Sequence, residues 1–147
     1  MFSWACDSGP VQVWQAHLHG PEIPNEVREL LLDSTVIKCA WNTPFERSIW
    51  QNVFGIESPA AEWDDPMIQA RYLSLPGKLA LAGPIAGLPM DKTKIKEGMA
   101  LVNLFSMPNK KGKFNDWSSH PDEWQKFVAY CAQDTEAERA FYRRFMR

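Results

Sequence analysis

Residues 35–41, Thr-Val-Ile-Lys-Cys-Ala-Trp, constrain this chain more than any other stretch. β-branched residues open the run and apolar ones dominate it, a composition that favours a buried strand. Asn42-Thr43-Pro44 stops it, and proline there suits the first turn of a helix. Phe45, Ile49, Trp50 and Val53 follow near helical spacing. A buried strand feeding straight into a helix is the unit of layered α/β architecture, and ligands in such folds bind where strands end.

The rest of the chain supplies partners for that unit. Residues 2–6 form a short apolar run and residues 11–16 alternate apolar and polar. Between them stands the turn cluster Asp7-Ser8-Gly9-Pro10, so the segment predicts a hairpin. Asn25 is placed to cap a helix through Val27, Leu30 and Leu31, with Glu26 and Glu29 in its first turns. Residues 62–65 predict a short strand that leads into a helix over 66–73. Further helices are expected over 78–86, interrupted near Gly83-Pro84, and over 92–105. A basic, polar loop at 107–119 precedes a last helix that opens at His120-Pro121-Asp122-Glu123. It runs through Trp124, Phe127, Val128 and Cys131 to Phe145. With 147 residues and no internal repeat, the expectation is one α/β or α+β domain over 1–147.

Composition narrows the function classes. No apolar run approaches the roughly 20 residues that span a bilayer, and no basic leader followed by an apolar stretch opens the sequence, so neither membrane insertion nor secretion is expected. Cys6, Cys39 and Cys131 are too widely spaced for a zinc pattern, and an odd count is no disulfide framework; buried free thiols in a reducing cytosol are the expectation. A net charge of −2 does not announce a nucleic-acid binder. It does not exclude one either, because a carboxylate site that works through divalent metal is acidic by design. The seven tryptophans are read mostly as core, with base stacking as the other use of such rings.

Two elements could carry chemistry. Tyr130 and Asp134 lie four apart on the last helix, which puts both side chains on one face. A tyrosine hydroxyl beside a metal-binding aspartate can orient an attacking water; a core tyrosine beside a solvated aspartate would have the same spacing. Asn42-Thr43-Pro44-Phe45-Glu46 sits where the best strand turns into its helix, so Glu46 could face a metal. Equally, Asn42 could cap the helix, with Glu46 as a first-turn acid favoured by the helix dipole.

Together these elements resemble the proofreading 3′–5′ exonuclease domain of family A DNA polymerases, especially those of tailed phages. That family has an RNase H-like fold with a mixed central sheet flanked by helices, and holds two divalent metals with four carboxylates in three motifs. The second motif, Asn-x-x-Phe/Tyr-Asp, is matched by Asn42 to Glu46 with Glu replacing Asp, and the third, Tyr-x-x-x-Asp, by Tyr130 and Asp134. Connecting segments run in the family's order. They include Asp7 to Val13, Trp63-Asp64-Asp65-Pro66-Met67, Leu75-Pro76-Gly77-Lys78-Leu79, Asp91-Lys92 with Lys94, and His120-Pro121 with Trp124 and Phe127. The likeness covers nearly the whole chain.

The resemblance implies a metal-dependent exonuclease acting on the 3′ end of single-stranded DNA with Mg²⁺ or Mn²⁺. Glu46 and Asp134 would bind metal and Tyr130 would orient the water. Asn42 and Phe45 would shape the terminal nucleotide site, and Lys110, Lys111 and Lys113 could contact phosphate, though such a charge run also suits plain solvation. It further implies the cytoplasm of a phage-infected or prophage-bearing bacterium. One departure matters. The family's first motif, Asp-x-Glu, lies on a central strand upstream of the residue 2–6 strand, and this sequence shows no such motif there. Two carboxylates in place of four should leave metal affinity weak and catalysis slight. The sheet would need direct pairing of its second and fourth strands, a strand from a polymerase chain or upstream fragment, or a second copy edge to edge. The alternative is a catalytically inactive exonuclease-fold module that binds DNA or a protein partner.

Overall fold

A computed structural model describes residues 1–88 and 98–146. Strands β1 (Phe2–Trp4) and β2 (Gln12–Trp14) form the expected antiparallel hairpin, with Phe2 opposite Trp14. Asp7 takes a positive φ of 44° in the turn, where Gly9 N–H closes onto the Cys6 carbonyl at 2.8 Å. A single-turn helix α1 (Ala16–His19) follows, then α2 (Asn25–Leu32). The cap position of α2 is Pro24 rather than Asn25, and no side chain caps it.

The strand expected over 35–41 contracts to β3 (Lys38–Cys39). Its start is captured by a local turn, because Asp33 Oδ1 accepts from both the backbone N–H and the hydroxyl of Thr35 at 2.8 and 2.7 Å. An Asx-type turn of this kind competes with the strand ladder. Helix α3 (Thr43–Phe54) comes next. After a 3₁₀ turn (Ala60–Glu62), β4 (Trp63–Asp64) pairs in parallel with β3. Helices α4 (Pro66–Tyr72), α5 (Leu79–Ile85, with Pro84 inside), α6 (Gly98–Ser106) and α7 (Pro121–Phe145) complete the described chain. The start of the helix expected over 92–105, and with it Asp91, Lys92 and Lys94, lies outside the described residues.

The four strands make two separate ladders, β1–β2 and β3–β4, so among the described residues β1 and β3 do not pair with each other. The ladders nevertheless share two faces. Phe2, Trp4 and Trp63 pack with Ile23, Val27, Leu31 and Ile56 on one side. On the other side both rest on α7: Ser3 Oγ bonds the Cys131 carbonyl and the Thr135 hydroxyl at 2.8 and 2.7 Å, and Tyr142 donates to Asp64 Oδ2 at 2.8 Å. The alternation of strand side chains produces this division.

Helix α7 is central because it also carries two apolar cores. Ala137 and Phe141, fully buried, pack with Ala70, Leu79 and Ala82, while Tyr130 joins Leu101 and Phe105 with Trp124 and Phe127 alongside. From Cys131 to Tyr142 no residue of α7 is fully exposed. Gly98 lets α6 approach this helix, since a Cβ there would overlap the Tyr130 ring. Gly98→Ala is therefore expected to lower stability by about 2 kcal/mol, the usual scale of overpacking. Urea denaturation with an unchanged slope measures it, and a neutral result would show that α6 yields easily.

The thiols differ from expectation. Cys6 and Cys39 are exposed and Cys131 is half-buried; all three are free. Cys6 borders the hairpin turn and Cys39 lies on a strand that among the described residues pairs with β4 alone, so both keep open surface, apolar neighbours in sequence notwithstanding.

Candidate functional site at the strand ends

Helix α3 starts at the end of β3 with Asn42 in the left-handed region, φ 73° and ψ 57°. Asparagine is among the few residues that accept this conformation readily. Asn42 occupies the cap position, yet its side chain caps nothing. The cap is Asp65, which accepts from Asn42 N–H at 3.0 Å and from Thr43 N–H at 3.1 Å. Asp65 also caps its own helix α4 through Met67 N–H at 2.9 Å. One buried carboxylate thus ties the ends of β3 and β4 together and offsets the positive ends of two helices.

Glu46 lies one turn into α3 and is half-buried. Its Oε2 is enclosed without a hydrogen-bond partner among the described residues. Burial pushes its carboxyl up to about 7, its own backbone N–H pulls the other way, and the nearby Asp65 charge adds to the rise. Phe45 is 60% exposed beside it. Cys39 and Asp64 form a cross-strand pair whose side faces α7. Burial raises the Cys39 thiol above its ordinary range, with Glu138, Asp64 and Asp65 adding to it. Cys39 therefore keeps open surface while protein crowds its thiol.

Tyr130 and Asp134 come from α7. Tyr130 is 6% exposed and its ring is stacked over Phe127 at 6.4 Å, so it belongs to the aromatic core as well as to the helix face of Asp134. Asp134 is half-buried one turn before Glu138. Glu46 lies near Asp65, Cys39 near Asp65, Asp64 and Glu138, and Cys131 near Glu138 and Asp134, so a seam of acids runs from Glu46 to Asp134. Glu46 and Asp134 mark its two ends, and among the described residues no group of three or more His, Cys, Asp or Glu is arranged to hold a metal ion. Lys110, Lys111 and Lys113 are exposed in the 107–119 loop.

Neither Asp65 nor Glu138 is among the residues that the sequence marks as functional. A signal existed for Asp65, an acid directly before a proline at a helix start. Nothing local marks Glu138, which matters only because α7 lies under β3.

No protein-family model matches the chain. No solved structure matches it either. Along its length it is similar to a protein named DNA polymerase from Bacillus phage SP02, 37% identical over 150 residues and covering 98% of this chain. The chain is related to part of a phage DNA polymerase. It spans 23% of that polymerase's length. Among the described residues no helix is long and apolar enough to cross a membrane.

The raised Glu46 carboxyl gives a pH test. In the unfolded chain Glu46 ionises near 4.5, in the folded protein near 7. Between those values the folded state holds more proton, so stability falls as pH rises through the window, and the full cost is present above it. Glu46→Gln removes this cost. Allowing for its partial exposure, we expect the variant to gain about 1 kcal/mol over wild type at pH 8 and nothing at pH 4. Urea unfolding at the two pH values measures the difference, and an equal effect at both would show that Glu46 does not titrate in this way.

Proposed function

We propose that this chain is the 3′–5′ exonuclease-type part of a phage DNA polymerase, with an RNase H-like fold, whose site lies along the acidic seam between β3 and α7. The observation that carries the reading is the position of Glu46: a desolvated carboxylate with an orphaned oxygen, at a strand end, on a seam that ends at Asp134. A divalent cation is the natural partner for such an oxygen, since it repays desolvation that no hydrogen bond repays. Glu46 and Asp134 would each contribute a protein ligand from opposite ends of the seam, with Mg²⁺ or Mn²⁺ as the metal. When bound, the metal supplies an activated water and stabilises the leaving oxygen of a phosphodiester. The chain's own part is positioning. Asp65 fixes the start of α3 and so the reach of Glu46, α7 sets Tyr130 and Asp134 on one face, and exposed Phe45 with Asn42 offers a surface for a terminal nucleotide.

Two carboxylates are half of what two-metal hydrolysis uses. Among the described residues β1 and β3 each pair with one strand, so a further strand could add to either ladder and bring the remainder. A polymerase segment, an upstream fragment or a second copy could supply it. The absence of a three-ligand group among the described residues equally favours a second reading, an inactive exonuclease-fold module that binds DNA or a polymerase.

Thermal unfolding in 0–20 mM MnCl₂, with wild type, Glu46→Gln and Asp134→Asn, separates the two. The nuclease reading expects a metal-dependent rise in Tm that either variant abolishes. It also expects release of 3′ nucleotides from a 5′-labelled single strand. No metal-linked shift and no release, in the chain joined to the remainder of its polymerase, would leave the inactive module.

A further inference from the structure

The β1–β2 hairpin presents different side chains to its two sides. Ser3 meets α7, while the register sets Trp4 opposite Gln12 and Phe2 opposite Trp14 on the other face. There the hairpin and the start of α2 form a cleft of about 300 Å³, lined by Trp4, Gln12, Trp14, His19, Glu22 and Glu26. That volume is at the small end of ligand sites. Trp14, 5% exposed, is the most buried of the six; Trp4 is half-buried, and the polar side chains are exposed.

The lining offers two kinds of polar group. Trp4 and Trp14 each hold an enclosed indole Nε1–H that has no hydrogen-bond partner among the described residues. Such a donor is costly until an acceptor reaches it. His19 Nδ1 accepts from Gln15 N–H at 2.9 Å, which leaves the ring hydrogen on Nε2. Against these donors stand Glu22 and Glu26, neither with an ion-pair partner among the described residues. Burial raises the Cys6 thiol, and the charges of Glu26 and Asp7 add to it, so the negative field reaches the hairpin turn. Arg139 and Arg143 meet the same turn from α7, where both donate to the Asp7 carbonyl.

We propose that this cleft is a docking site for an arginine in an extended segment of a partner protein. The guanidinium would lie on Trp4 and pair with Glu22 and Glu26, and a flanking backbone carbonyl would accept from the Trp4 N–H, whose half-buried ring can turn toward it. Carboxylates beside an indole face attract an organic cation and repel an anion. A free polyamine brings donors alone and leaves the indole N–H groups unsatisfied. A peptide arginine brings both complements, a planar cation that stacks and forks onto carboxylates, and carbonyl acceptors on either side. The cleft is on the hairpin face away from α7 and does not depend on Glu46 and Asp134 holding metal.

The test titrates the isotope-labelled full chain with acetyl-Gly-Arg-Gly-amide and follows the assigned indole N–H resonances. The Trp4 resonance should move downfield, the mark of a gained acceptor, with half-saturation at about 1 mM. The same peptide with citrulline, which keeps the shape and loses the charge, should bind about tenfold more weakly. Glu22→Gln with Glu26→Gln, both at exposed positions, should weaken arginine binding about fivefold, the scale of two surface ion pairs, with circular dichroism unchanged. Putrescine should leave the Trp4 N–H in place. Three results would overturn the proposal: no movement at about ten times the expected half-saturation, equal affinity for the citrulline peptide, or equal affinity in the double variant. Putrescine moving the Trp4 N–H as far as the peptide does would overturn it too, and would assign the cleft to a small free cation.

Discussion

Asp65→Ala should destabilise the protein by about 4 kcal/mol. The carboxylate is 8% exposed and accepts from Asn42 N–H, Thr43 N–H and Met67 N–H at 2.9–3.1 Å, with the Thr43 hydroxyl at 3.4 Å. Hydrogen bonds to a charged acceptor contribute about 1.5–3 kcal/mol each, and donors left unpaired in a buried place cost about 1–3 kcal/mol. Water can enter beside exposed Asn42, which reduces the total below the simple sum. Asp65→Asn keeps one good acceptor and should cost about half as much. It also removes a negative charge that helps raise the Glu46 carboxyl. Glu46 in Asp65→Asn should therefore titrate below about 7, seen as a downward move of its side-chain carbon resonance midpoint. A small loss of stability in Asp65→Ala would show that α3 and α4 do not depend on their shared cap.

Lys38→Ala should cost about 3–4 kcal/mol. Lys38 is a buried cation on β3, with its ammonium 2.7 Å from Glu62 Oε2 and 2.7 Å from the Asp33 carbonyl. Side-chain exposures of 6% and 16% mean that neither charge can rely on water. Removing one member of a buried pair leaves the other uncompensated, which is the expensive case. Among the described residues Glu62 would retain the Ser58 hydroxyl at 3.3 Å. The double variant Lys38→Met with Glu62→Gln removes both charges and keeps the volume, so it should recover most of the loss. Urea unfolding of the two single variants and the pair gives the coupling directly. A double variant as unstable as the worse single variant would mean that packing, and not charge, makes Lys38 important.

Both variants probe the same design. Short strands of two and three residues cannot hold a sheet by backbone pairing alone, so polar side chains at their ends do part of the joining. Asp65 joins β3 and β4 to their helices, Lys38 joins β3 to the 3₁₀ turn, and Ser3 joins β1 to α7. Among the described residues β1 and β3 each pair with one strand, and the proposed function calls for a further strand.

What was legible in the sequence is what local chemistry fixes. Turn residues at 7–10 set the hairpin, prolines 44, 66 and 121 mark three helix starts, and apolar spacing gives α2, α3 and α7. Tyr130 and Asp134 share a helix face as four-residue spacing requires. Tertiary structure decided the rest. The β-branched run at 35–41 reads as one long strand, but Asp33 captures Thr35, and among the described residues a strand partner is present for Lys38 and Cys39 alone. Phe45, Ile49 and Val53 look like a core stripe yet face water, because the strand layer packs on the Trp50 and Phe54 side of α3. Glu46 carries an elevated carboxyl for a reason that no neighbour in sequence reveals: the fold encloses it near Asp65. Sequence fixes torsions and periodicity within a few residues, whereas desolvation and the field of distant charges exist only once segments far apart in the chain are packed together.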